Sequence, residues 1–108
     1  MATPTPRIRM ASTATPGQVI EVKTLIAHEM ESGQRKDASG RPIPRKIIKA
    51  FTAKFEGQEI FRSEWYPAVS ANPYLAFYVR VPHAGTFEFS WFDDDGTVYK
   101  AEQAVAVG

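Results

Sequence analysis

The chain has 108 residues, 13 Lys and Arg against 12 Asp and Glu for a net charge of +1, and no cysteine. Its length suits one domain, and 44% hydrophobic with 23% charged residues is ordinary globular composition rather than disorder. A near-neutral total excludes a field strong enough to argue for nucleic acid, no stretch approaches the roughly 18 apolar residues of a membrane helix, and without cysteine there are no disulfides, thiolate metal sites or Cys nucleophiles.

Residues 1–6, MATPTP, read as a disordered or extended tail ahead of a domain over 7–108. MATPTPRIRM has no apolar h-region, so taken alone the chain reads as a cytoplasmic protein. From Arg7 the pattern is period two. In VIEVKTLIAH, Ile20, Val22, Thr24 and Ile26 share one face and Glu21 and Lys23 the other, with the β-branched residues strands favour. Residues 29–45 read as a long loop, and loops of that length tend to be functional. KIIKAFTAKFEG then puts Ile47, Lys49, Phe51, Ala53 and Phe55 on alternating positions. Glu56-Gly57 is a hairpin turn in which Gly57 supplies a positive φ, leading into QEIFRS. In SANPYLAFYVRVP, Leu75, Phe77, Val79 and Val81 oppose Tyr74, Ala76, Tyr78 and Arg80. GTFEFSWFDDDGTVYKAEQAVAV is a hairpin with Phe87, Phe89 and Trp91 inward, a turn at Asp93–Gly96, and a return strand from Val98.

No helical period persists anywhere. About seven short strands, each with one apolar face, predict an all-β, immunoglobulin-like β-sandwich. Its core rests on Phe51, Phe55, Phe77, Phe87, Phe89 and Trp91, since the Cys pair of antibody domains is absent.

Candidate chemistry is sparse. His28 and His83, the only imidazoles, lack HxH or HxxxH spacing, and they read as surface or strand-end residues rather than ligands for a metal that Met10 or Met30 would soften. Asp93, Asp94, Asp95 and Gly96 resemble the start of a calcium loop but lack its alternating ligands, and they sit where a turn belongs. No serine lies in a GxSxG elbow. No catalytic residue, cofactor or metal is therefore assigned.

Two features suggest binding instead. ESGQRKDASGRPIPRKIIKAF holds six of the basic residues, Arg35, Lys36, Arg41, Arg45, Lys46 and Lys49. It reads either as a solvated loop or as a docking surface for an acidic partner or anion, because guanidinium forks suit carboxylates and oxyanions. Arg35, Lys36 and Arg41 are the candidate contacts, with Arg45 and Lys46 reserved for local structure. In SEWYPAVSANPYLAFYV, Trp65 and Tyr66 stand outside any strand phase, as core plugs or as interface anchors. Tyr74 and Tyr78 join them as candidate anchors. A free-standing module for a small anion or glycan, using the same loop with Trp65 and Tyr66, is the alternative reading.

Three stretches, HEMESGQRKDASGRPIPRKII, PAVSANPYLAFYV and GTFEFSWFDDDGTVY, together resemble the Z subunits of the Sox thiosulfate-oxidation carrier complex, over roughly residues 7–107. The resemblance implies a non-catalytic, immunoglobulin-like subunit in permanent pairing with a Y protein, as a heterodimer or heterotetramer, with transient contact to the other enzymes of the pathway. The Y protein, on this view, carries the sulfur intermediates on a cysteine in a glycine-rich C-terminal arm, which agrees with the absence of cysteine here. It also implies a periplasmic location, reached with a signal-bearing Y partner.

Overall fold

The alternation of side chains becomes two sheets in a computed structural model, which describes residues 6–65 and 72–108. The strands are β1 (Arg7–Arg9), β2 (Thr13–Ala14), β3 (Gln18–Leu25), β4 (Ile48–Phe55), β5 (Gln58–Glu64), β6 (Tyr74–Val81), β7 (Gly85–Asp93) and β8 (Val98–Val107). Eight strands rather than seven result because the short N-terminal run is split. β1 pairs with β3 in one sheet, and the chain then crosses so that β2 runs parallel to β8 in the other. The smaller sheet has the order β1-β3-β6 and the larger β2-β8-β7-β4-β5. β3→β4, β5→β6 and β6→β7 each pass between sheets, the Greek-key wiring of an immunoglobulin-like sandwich. The tail expected over residues 1–6 lies, apart from Pro6, outside the described residues.

The core fills where the inward phases meet. Ile20, Val22, Thr24 and Ile26 from β3 and its extension are all buried, as are Phe77, Val79 and Val81 from β6. Facing them are Phe87, Phe89 and Trp91 from β7 and Phe51, Ala53 and Phe55 from β4. Phe51 is the hub: its ring lies 5.1 Å from Trp91, 5.8 Å from Phe77, 6.2 Å from Phe61 and Phe89, and 6.3 Å from Trp65. The Phe61–Phe77 stack, at 4.4 Å, ties edge strand β5 to the opposite sheet. Truncating such a hub to alanine costs about 3–5 kcal/mol.

β4 departs from simple alternation. Its register with β7 shifts between Ile48 and Ala50, so Ile48 is fully buried and Lys49 is turned outward, not inward with Phe51. A bulge resolves what strict period two would have demanded, a lysine in the core. The β4–β5 connection has two central residues of positive φ, Glu56 at 51° and Gly57 at 82°. That is a type I′ turn, whose twist matches the flanking strands.

Candidate functional site

The segment read as a long loop is a hydrogen-bonded ribbon. Glu31 and Lys46 exchange both backbone bonds at 2.8 Å, Ile43 donates to Arg35 at 2.9 Å, and Asp37 donates to Arg41 at 2.8 Å. At the tip the Asp37 carboxylate accepts from the amides of Ser39 and Arg41 and from the Ser39 hydroxyl, which closes the turn. Gly33, at φ 84°, lets the two arms meet: a Cβ there would sit 3.1 Å from that of Arg45.

The ribbon is fastened at its root to the acidic turn between β7 and β8. Asp94 accepts a two-pronged contact from Arg45 at 2.8 and 2.9 Å and the amide of Ile47 at 3.1 Å, while its own amide donates to the Ile47 carbonyl at 2.9 Å. The Arg45 guanidinium holds the Asp94 carboxyl below the usual carboxylate range. Lys46 lies 3.4 Å from Asp95. The turn itself forms as read, with Asp93 donating to Thr97 and Gly96 to Asp93, but two of its carboxylates do more than make a turn.

Asp93 is one of them. Its side chain is fully buried, and Oδ2 accepts from the Tyr99 hydroxyl at 2.8 Å and pairs with His28 Nε2 at 2.7 Å. His28 Nδ1 accepts the Met30 amide at 2.9 Å, so the ring's proton sits on Nε2 and points at the carboxylate. Burial, and then the adjacent Asp93 carboxylate, push the Tyr99 phenol above its ordinary range. The expectation of a surface histidine at 28 is thus corrected. A sequence signal for it existed: the inward phase of β3 continues past Ile26 through His28 to Met30, all three buried. The Nε2, Oδ2 and hydroxyl groups bind one another in the interior, which makes this a fastening of β3, β7 and β8 rather than a reactive pair. His83 is exposed, and no cluster of three or more His, Cys, Asp or Glu suited to a metal occurs among the described residues.

The predicted contact residues separate. Arg35 forks onto the buried Glu31 carboxylate, which it holds below the usual range, so Arg35 belongs to the ribbon's own structure. Lys36 and Arg41 stay exposed at the tip, with no carboxylate partner for either side chain among the described residues. Trp65 is 8% exposed and stacked on Phe51, which makes it a core plug, and Tyr66 lies outside the described residues. Tyr74 and Tyr78 stand 59% and 70% exposed on the outer face of β6, beside the exposed Val19 and Leu25 of β3. Leu25 and Tyr74 are direct cross-strand partners. This aromatic face sits on an edge strand, since β6 ends the smaller sheet. Its cations Arg7, Arg9, Lys23 and Arg80 outnumber its one carboxylate, Glu21.

In fold the chain is similar to the superoxide reductase (neelaredoxin) from Ignicoccus hospitalis, with TM-score 0.71 and 17% identity over 96% of this chain and 80% of that one. It is also similar to the sulfur carrier protein SoxY from Chlorobium limicola f thiosulfatophilum, with TM-score 0.67 and 11% identity over 95% and 78%. Identities this low show the fold alone. None of the curated proteins matches the chain in sequence. The family model described as sulphur oxidation protein SoxZ matches residues 8–104, a span that takes in the ribbon, the aromatic edge strand and the acidic hairpin alike. The chain therefore belongs to the SoxZ family of sulphur oxidation proteins.

Proposed function

We propose that this chain is the non-catalytic half of a sulfur-carrier complex, pairing through the outer face of β3 and β6 with a cysteine-bearing Y-type protein. One observation supports this most directly: a sandwich with a well-filled core leaves Tyr74, Tyr78, Val19 and Leu25 outside it, grouped on one sheet and at its open edge. Two exposed tyrosines on an edge strand, flanked by Val19 and Leu25 of the neighbouring strand β3, are a liability for an isolated domain. They become an asset when a permanent partner covers them, burying well over about 1,200 Å² in total. The excess of cations around the patch fits an acidic rim on that partner.

The chemistry of sulfur oxidation then belongs to the partner's thiol, and this subunit contributes shape and charge. Lys36 and Arg41, at the tip of the ribbon, form the landing surface for pathway enzymes that approach the loaded partner. Export to the periplasm together with the Y protein follows from the same reading, and fractionation of cells with and without the partner's signal tests it.

The pairing is tested by capture of the Y protein on Tyr74→Ala, Tyr78→Ala and the double variant. Each truncation of a central aromatic anchor is expected to weaken binding about tenfold, roughly 1.4 kcal/mol. Full affinity in the double variant removes this face from the interface.

A further inference from the structure

We infer a second binding site, an anion cleft on the outer face of the larger sheet at the root of the basic ribbon. The concavity comes from a small residue among large ones. Ala50 on β4 faces outward between its cross-strand partners, Glu64 on β5 and Phe92 on β7. The resulting cleft holds about 460 Å³, within the usual range for small-ligand sites.

Three cations converge on it: Arg45 from the ribbon, Lys49 from the bulge of β4 and Arg62 from β5, against the single carboxylate of Glu64. None is used up. Lys49 has no carboxylate partner among the described residues, and Arg62 approaches Glu59 and Glu64 only at 3.7 and 4.0 Å, beyond hydrogen-bond distance. Arg45 gives Nε and Nη2 to Asp94 and keeps Nη1. The remaining wall is apolar. Trp65 spends its indole N–H on the Ser63 hydroxyl at 3.0 Å, so it offers the cleft ring surface rather than a donor. Phe92 is half-buried beside it.

Guanidinium and ammonium donors beside an aromatic wall suit an oxoanion attached to a short apolar stem. The ligand class is an S-sulfonate, either free thiosulfate or the same group borne on a peptide thiol. The choice of sulfur among oxoanions rests on the function proposed above. The cleft does not: it lies on the opposite sheet from Tyr74 and Tyr78, so a partner docked there leaves it open.

The test uses the full chain labelled with ¹⁵N and titrated with thiosulfate or with S-sulfoglutathione, sodium chloride keeping ionic strength constant. Saturable shifts of the Trp65 indole N–H and of the Lys49 and Arg62 amides are expected. Lys49→Gln and Arg62→Gln are each expected to weaken binding about tenfold or more, as loss of a charged donor does. The doubly substituted ribbon tip, Lys36→Gln with Arg41→Gln, is expected to bind as the unaltered chain does. Tighter binding of S-sulfoglutathione assigns the site to a carried group, and equal affinities assign it to the free oxoanion. No saturation with either probe, the same shifts with chloride alone, or equal weakening by the tip variant overturns the cleft. Capture of the Y protein by Lys49→Gln and Arg62→Gln separates the two ideas: intact capture with no oxoanion binding sinks the cleft and leaves the pairing standing.

Discussion

Replacing Tyr99 with phenylalanine removes one oxygen atom and keeps the ring, so it isolates the buried fastening from the packing around it. In the native chain, Asp93 Oδ2 is shared by the Tyr99 hydroxyl at 2.8 Å and His28 at 2.7 Å, on a side chain with no solvent exposure. Without the hydroxyl that oxygen keeps the imidazole as its one hydrogen bond, with the Lys46 ammonium 4.0 Å away, and no water takes the place of a donor in a filled core. A hydrogen bond to a charged group is worth about 1.5–3 kcal/mol. At roughly 4 °C per kcal/mol for a domain of this size, Tyr99→Phe is expected to lower Tm by about 6–12 °C. The effect carries a pH signature with a definite sign. The folded phenol titrates above the unfolded value of 10.0. The unfolded chain therefore loses this proton first as pH rises, and the native chain loses stability above about pH 10. Tyr99→Phe lacks that loss, so its deficit is full at neutral pH and narrows at alkaline pH. Urea unfolding followed by tryptophan fluorescence, at neutral pH and at pH 10 to 11, measures both, with the m-value checking that the unfolded state is unchanged. A variant within about 0.5 kcal/mol of the native chain at neutral pH, below the range for a hydrogen bond to a charged group, shows that the network does not fasten the sheets. A deficit that does not change with pH refutes the linkage.

Other substitutions probe different parts. Gly85→Ala would set a Cβ 2.7 Å from the Phe55 ring and 2.5 Å from a Glu56 carboxylate oxygen that is itself held by the Thr86 amide at 2.6 Å. Such overpacking is expected to cost about 1–3 kcal/mol in a thermal melt. Asp94→Ala releases both Arg45 and the Ile47 amide from the root of the ribbon. Tryptic cleavage after Arg35 and Lys36 should then run several-fold faster while the midpoint of unfolding moves little; unchanged cleavage would show that the backbone pairing of Glu31 with Lys46 suffices alone. Lys36→Gln with Arg41→Gln should slow association of the carrier complex with pathway enzymes at low ionic strength, and the difference should fade as salt shortens the Debye length to about 8 Å. Equal association rates across salt concentrations would return the ribbon tip to a merely solvated role.

Much of the fold was written locally. A strand half exposed to water states its phase every second residue, so the inward sets of β3, β6 and β7 could be read before any sheet was known. The turn at Glu56-Gly57 needed only two residues of positive φ, and the hairpin at Asp93–Gly96 only its turn formers. The three family motifs were likewise continuous stretches. What the sequence could not decide was every feature made by partners far apart in the chain. His28 and Asp93 are 65 positions apart, and Arg45 and Asp94 are 49 apart. Whether Trp65 plugs the core or anchors a partner turned on the position of Phe51 across a strand pair, and Arg35 proved committed to Glu31 only once the ribbon brought them together. Lys49 was misplaced because a bulge, set by the fit of β4 against β7, reversed its phase. Periodicity encodes which side of a strand is apolar, because that depends on one residue and its immediate neighbours. It does not encode which buried polar atom meets which, because that depends on how two sheets settle against each other, and only the assembled sandwich determines it.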